Sequence, residues 1–318
     1  MLENFLFSVN VVLPLFFCCL VGFIARERGW IAEPFLSGCS HIVFYIAIPA
    51  NIFLSISGDD LGQSFSFPLL LYIFAAIVLL SAVCVLAVPR IIRNPSTAAT
   101  VAVTVLRGNF AMLGIPLALS LMGREQAGPT LVMIPFATML YTVVSVFLLV
   151  LMGSPGGADG KRKRKGAMIE VLHNPLIIAS AASILVAISG ISLPTAVNST
   201  IRYFADMTTG LSLIMLGAQL NVREAFTRLR YSIPATILRL VVLPLIVVTP
   251  AVFLGFRGPE LACIFIFFAT PTAINSYILA GRLGGDGKLA GDIVLATSCL
   301  STITLMAGIF LLKSLHLF

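Results

Sequence analysis

Arg107-Gly-Asn-Phe-Ala-Met-Leu-Gly-Ile-Pro116 occupies the middle of an otherwise apolar stretch, 96–122, that is long enough to cross a bilayer. An arginine at such a depth costs ~2.5–3.5 kcal/mol on insertion scales. Pro116 lacks an N–H and pushes away the carbonyl four residues earlier, that of Met112. Freed backbone groups at mid-membrane are tolerated only inside protein or along a watery cavity. Arg107, Asn109, Gly114 and Pro116 thus combine a cation, an amide and an opened helix at one depth, which are the parts needed to hold a small anion.

Outward from this stretch the chain has the character of a membrane protein. Of its 318 residues 59% are hydrophobic and 10% are charged, against roughly 25% charged in soluble domains. The mean hydropathy is +1.06. Apolar runs recur at 5–25, 34–57, 66–88, 96–122, 127–152, 174–190, 195–221, 231–255, 259–282 and 288–313, which predicts about ten transmembrane helices. No alternating segments of the kind that build a β-barrel are evident, so the expected class is an all-α polytopic membrane protein. The start, Met1-Leu-Glu-Asn-Phe, has no basic residue before its first apolar run and reads as a retained span.

Fourteen lysines and arginines fall in the loops after odd-numbered spans, including Arg26, Arg90, Lys161 to Lys165, Arg228 and Lys288. The positive-inside rule puts these loops in the cytoplasm and both termini outside, in the periplasm of a bacterial inner membrane. The net charge of +7 is therefore a topology signal, and no nucleic-acid partner is expected. The basic segment 153–173 divides the chain into 1–152 and 174–318 with five spans each, and an odd number per half turns the second half upside down. In fourth place of the second half stands Thr270-Pro-Thr-Ala-Ile-Asn275, opposite Gly114-Ile-Pro116 of the first. Inverted repeats interrupted at corresponding helices, here the fourth and ninth, point to a transporter's binding site. Thr270, Pro271 and Asn275 accordingly join Arg107 and Asn109 as candidate substrate-binding residues, with Pro49, Asn51 and Asp206 as candidate cavity-lining residues.

Competing structural readings attach to most of these residues. Arg107 could pair with a buried acid, for which Asp206 is the candidate, or Asp206 could pair with Arg202 at i, i+4. Arg239, two turns into the eighth span, is expected to snorkel towards the cytoplasmic face. His41 reads as packing, and Gly210 and Gly217 as close helix contact. The six cysteines show neither metal-ligand spacing nor a disulfide framework. A membrane-embedded enzyme would need a nucleophile, base or metal cluster, and no paired intramembrane aspartates or HExxH motif are present. A receptor without transport would need a signalling domain, which the sequence does not offer. No cofactor is expected.

Asn109-Phe-Ala-Met-Leu-Gly-Ile-Pro116, with Pro271, Ile48-Pro49, Asn174-Pro175 and Leu216-Gly-Ala218, resembles the auxin efflux carrier family. That family includes the plant PIN proteins and bacterial malonate and malate permeases. The likeness extends over essentially the whole chain, although the central loop is short. It implies the fold of bile-acid and sodium/proton exchangers, with a scaffold from spans 1, 2, 6 and 7. Spans 3–5 and 8–10 would form a mobile transport domain crossed at Pro116 and Pro271. A homodimer working by elevator movement on mono- or dicarboxylates or auxin-like acids would follow. Arg107 has no assigned place in the family pattern. Acidic residues that commonly anchor sodium are scarce in this core, which points to proton coupling or potential-driven export rather than sodium coupling.

Overall fold

The computed structural model describes residues 1–57, 65–152, 175–189, 193–220, 228–282 and 284–318. The basic linker with Lys161 to Lys165, together with Arg223 and Asn174, lies outside the described residues. Every regular element among the described residues is a helix. In chain order these are α1 (Leu2–Glu27), α2 (Glu33–Ile42), α3 (Ile48–Ser57), α4 (Phe67–Ile91), α5 (Pro95–Leu106), α6 (Ile115–Gln126) and α7 (Gly128–Met152). There follow α8 (Pro175–Ser189), α9 (Thr195–Ala218), α10 (Leu229–Ile237), α11 (Leu243–Phe253), α12 (Gly258–Ala269), α13 (Asn275–Arg282) and α14 (Gly287–Ser314).

Among the described residues six helical stretches are long and apolar enough to cross a membrane: Leu2–Glu27, Glu33–Leu54, Phe67–Ile91, Gly128–Leu149, Leu229–Phe253 and Gly287–Ser314. The outer faces say what surrounds them. In α4 the buried stripe is Leu69, Ile73, Ile77, Ser81, Cys84 and Val88, at helical spacing. The opposite face carries Leu71, Val78, Leu79, Val83 and Leu86, with Leu79 66% exposed. A helix that is apolar on both faces is matched to lipid, because water would select charge on the outer one. The chain is a multi-pass membrane protein. Helix α9, whose first half is polar for a span, is nevertheless a continuous helix of 24 residues. Its Asn198, Thr200, Arg202 and Asp206 face outward, so they cost no burial.

Among the described residues three five-residue π-turns interrupt the ladder, at Val43–Ala47, Phe110–Gly114 and Leu238–Val242. Each is followed after one residue by a proline: Pro49, Pro116 and Pro244. A proline ring clashes with the carbonyl four residues back and cannot bond to it. Widening one turn moves that carbonyl aside, so the helix continues where a kink was expected.

Helices α1 and α9 cross with their backbones touching. A Cβ on Gly217 would overlap the carbonyl of Cys19, and one on Gly22 would overlap that of Ile214. Gly210, expected to pack in the same way, has nothing within 4 Å of its Cβ position. Both glycines sit inside α9, so alanine gains up to ~1 kcal/mol of helix propensity at either. Gly210→Ala is expected to be neutral or slightly stabilising. Gly217→Ala is expected to cost ~1–3 kcal/mol or more through overpacking. Melting of the two variants in detergent checks this, and equal behaviour would contradict the close crossing.

Candidate functional site

At the centre of the molecule two short helices stop facing each other. Helices α5 and α12 have 12 residues each, open with a proline in the first turn, and are buried from Thr97 to Leu106 and from Leu261 to Ala269. At 1.5 Å per residue each reaches only ~18 Å, about half-way across a bilayer. Pro271 explains the second stop, since the residue before a proline is pushed out of the α region. Thr270 is extended, with φ −63° and ψ 148°. The first stop falls on Arg107, φ −84° and ψ 103°, followed by Gly108 and Asn109. The break therefore precedes Pro116, the residue at which the resemblance put it, and Pro116 lies in the first turn of α6.

The two extended segments pair across the gap as a single antiparallel bridge between Gly108 and Thr272. Asn109 N donates to Pro271 O at 2.7 Å, and Ala273 N donates to Arg107 O at 2.9 Å. Thr272 ties the bridge down: its Oγ1 donates to Thr104 O at 2.8 Å, and its N donates to Thr297 Oγ1 of α14 at 3.1 Å. Backbone groups freed by the two breaks are thus satisfied in part by each other and in part by side chains, as a dry interior demands. Gly108 is required by this approach. A Cβ there would overlap Arg239 Nη2 and stand 2.9 Å from Phe267 O.

The crossover separates charge. On one side converge the carboxyl ends of α5 and α12, with their partial negative charge, and there Arg239 is wholly buried. On the other side lie the amino-terminal turns that lead into α6 and α13, whose first N–H groups have no acceptor within their own helix. A cavity of about 1480 Å³ opens on that second side, lined at its inner end by Arg107, Asn109, Phe110, Met112, Thr138 and Ile274. Towards solvent it is lined by Arg26, Glu33, His41, Gln219 and Lys288, and the buried Asp292 also lines it. Arg26 and Glu33 form an ion pair with each other.

Arg107 is partly exposed to the cavity, and no hydrogen bond or ion pair engages its guanidinium among the described residues. Asn109 is 5% exposed, and among the described residues neither its Nδ2 nor the Oγ1 of buried Thr138 has a hydrogen-bond partner. A buried donor left empty in this way costs ~1–3 kcal/mol, which a ligand with acceptor oxygens would recover. Phe110 forms an aromatic wall behind them, 4.7 Å from Phe267 and 5.5 Å from Tyr141 between ring centroids.

The other candidate residues fall elsewhere. Gly114 and Pro116 are buried behind the crossover, Gly114 packing on Ile266 of α12. Thr270 and Pro271 are buried within it and contribute backbone oxygens. Asn275 begins α13, and its side chain lies outside the described ones. Asn51 Nδ2 donates to Ala205 O at 3.2 Å, which joins α3 to α9, and neither Asn51 nor Pro49 lines the cavity. Asp206 is 55% exposed and pairs with Arg124 at 2.7 Å, away from both Arg107 and the cavity. His41 lies at the cavity mouth, its ring stacked on Tyr45.

Arg239 is the residue that sequence reasoning misplaced. Its distance from the end of the span suggested snorkelling, but the π-turn Leu238–Val242 turns it inward. The available signal was Pro244, which follows that turn as Pro49 and Pro116 follow theirs.

The chain matches the family described as membrane transport protein over residues 7–308. An uncharacterized transporter of Methanocaldococcus jannaschii is 23% identical over 305 residues, covering 93% of this chain and 96% of the relative. An uncharacterized transporter of Escherichia coli is 21% identical over 305 residues, covering 91% and 94%. A protein of Rhizobium meliloti, whose name provisionally assigns it malonate transport, is 24% identical over 217 residues, 65% of each chain. These names are those of transporters rather than enzymes.

Proposed function

The chain belongs to the membrane transport protein family, that of the auxin efflux carriers, and we propose that it is a secondary transporter of small organic anions. The observation that carries the anion is the inner end of the cavity. There an unengaged guanidinium, an empty amide donor and two amino-terminal helix turns face one space. All of these favour negative charge. Candidate ligands are monocarboxylates, dicarboxylates such as malonate, and auxin-like acids. Arg107 and Asn109 take the carboxylate, Thr138 and Phe110 shape the space beside it, and Gly114, Pro116, Thr270 and Pro271 hold the crossover. Asn275 completes the set.

The reading extends to architecture. The halves 1–152 and 174–318 are inverted five-span repeats joined by the cytoplasmic linker 153–173. Two equal half-helices that stop in extended residues and pair across one bridge support that symmetry. Helices α1, α2, α3, α8 and α9 form the scaffold, supported by the packing of α9 on α1 and α3 and of α8 on α3. Helices α4–α7 and α10–α14 form a transport domain that carries the crossover in an elevator movement. Asn4 Nδ2 reaches Ser314 Oγ at 3.3 Å and Lys313 Nζ lies 3.7 Å from the Phe7 ring centre, which supports both termini on one side. With that side periplasmic in a bacterial inner membrane, the cavity mouth is cytoplasmic and the conformation faces inward. The protein works as a homodimer, with a proton or the membrane potential as the driving force.

The test is melting of the purified chain with malonate, malate and indole-3-acetate in turn. A ligand at a hundred times its Kd adds about 2.7 kcal/mol to the folded state. A rise in Tm with one acid is expected. No rise with any acid would overturn the anion reading in favour of a neutral or cationic solute.

A further inference from the structure

Arg239 supplies a charge that two helix ends lack. It is 0% exposed, and its guanidinium donates to four backbone carbonyls, with the Tyr141 side chain beside it. Nε donates to Thr270 O at 2.8 Å, and Nη2 to Phe267 O at 3.1 Å. Nη1 is shared between Leu106 O at 3.0 Å and Val105 O at 3.2 Å. Val105 and Leu106 close α5, while Phe267 and Thr270 stand at the end of α12. One side chain therefore caps both interrupted helices at once. Each helix carboxyl end carries about half an elementary negative charge, so the converging pair carries about one. The guanidinium brings one positive charge to the same spot. No carboxylate forms an ion pair with it among the described residues.

In transporters built on discontinuous helices, carbonyls and carboxyl ends of this kind are the groups that coordinate a coupling cation. Here the carbonyls are already engaged, and Gly108 keeps the space beside them clear for Nη2. We propose that Arg239 is a tethered cation standing in the place of a monovalent metal ion, so that the crossover assembles and works with no alkali-metal ion bound there. Unlike a diffusible ion it cannot leave during the cycle, so this end of the crossover stays neutral in every state. Arg239 is a positioning residue: it faces away from the cavity and sets the geometry from which Arg107 and Asn109 project into it.

The proposal rests on the crossover being the transport site, and its test is arranged to fail separately from that reading. The full-length protein is melted in sodium, lithium, potassium and choline chlorides at equal ionic strength, with no organic ligand present. The wild type is expected to melt at one temperature in all four. A saturable stabilisation specific to sodium or lithium would overturn the proposal. Arg239→Ala is expected to melt lower in every salt and to regain stability on addition of free guanidinium at low millimolar concentration, where the wild type shows no gain. A folded Arg239→Ala protein that guanidinium does not rescue would also overturn it. If that variant is not recovered folded, Arg239→Lys and Arg239→Gln decide the role of charge. Lysine is expected to retain clearly more folded protein than glutamine, and equal retention counts against a tethered cation.

Discussion

Arg107→Gln is expected to weaken carboxylate binding roughly 10- to 100-fold and to leave the melting temperature of the ligand-free protein almost unchanged. Both halves follow from its surroundings. A hydrogen bond to a charged group contributes ~1.5–3 kcal/mol, and each 1.4 kcal/mol is a factor of ten in affinity. The lower part of that range applies because the guanidinium is partly exposed to the cavity. Without ligand, nothing among the described residues is bonded to it, so its removal strands no partner. A structural arginine behaves in the opposite way: its loss leaves a buried acid uncompensated and costs 3–5 kcal/mol. Titration calorimetry for binding and melting for stability check the two halves independently. Unchanged affinity would remove Arg107 from the site.

Gly108→Ala is expected to do the reverse, damaging the apo protein first. The added methyl falls onto Arg239 Nη2, with Phe267 O and Thr270 Oγ1 both 2.9 Å away. The guanidinium cannot yield without giving up its bond to Phe267 O, and the oxygen belongs to fixed backbone. Overpacking costs ~1–3 kcal/mol, and a lost charge-assisted bond adds ~1.5–3 kcal/mol. A fall in Tm of several degrees with loss of uptake is the expected outcome. A variant that melts and transports like the wild type would show that the crossover tolerates separation.

How far these features were legible in the sequence depends on whether their cause was local. Apolar runs, helix ends and the two interrupted helices were readable, because lipid burial and proline chemistry act through neighbouring residues. The second break falls at Pro271 as read. The first was read too late, at Pro116, because a proline can also be absorbed by a π-turn, and which outcome prevails depends on what packs alongside. Arg107 and Asn109 stood out in the sequence as polar groups at one depth, and both line the cavity. Asp206 illustrates the limit. Its spacing suggested Arg202, and its chemistry Arg107, yet its partner is Arg124, 82 positions away in sequence. Arg239 is the same lesson in the interior, for its four acceptors come from two helices remote in sequence. Chain distance carries no trace of such pairings.

Counterflow in proteoliposomes tests most directly whether the cavity is a transport site. Vesicles preloaded with the unlabelled acid that raises the melting temperature are diluted into a trace of the labelled acid. Transient accumulation of label above the level in protein-free vesicles is expected with the wild type and not with Arg107→Gln. An acid that binds the purified protein but gives no accumulation in sealed vesicles would contradict transport and identify a ligand-binding receptor instead.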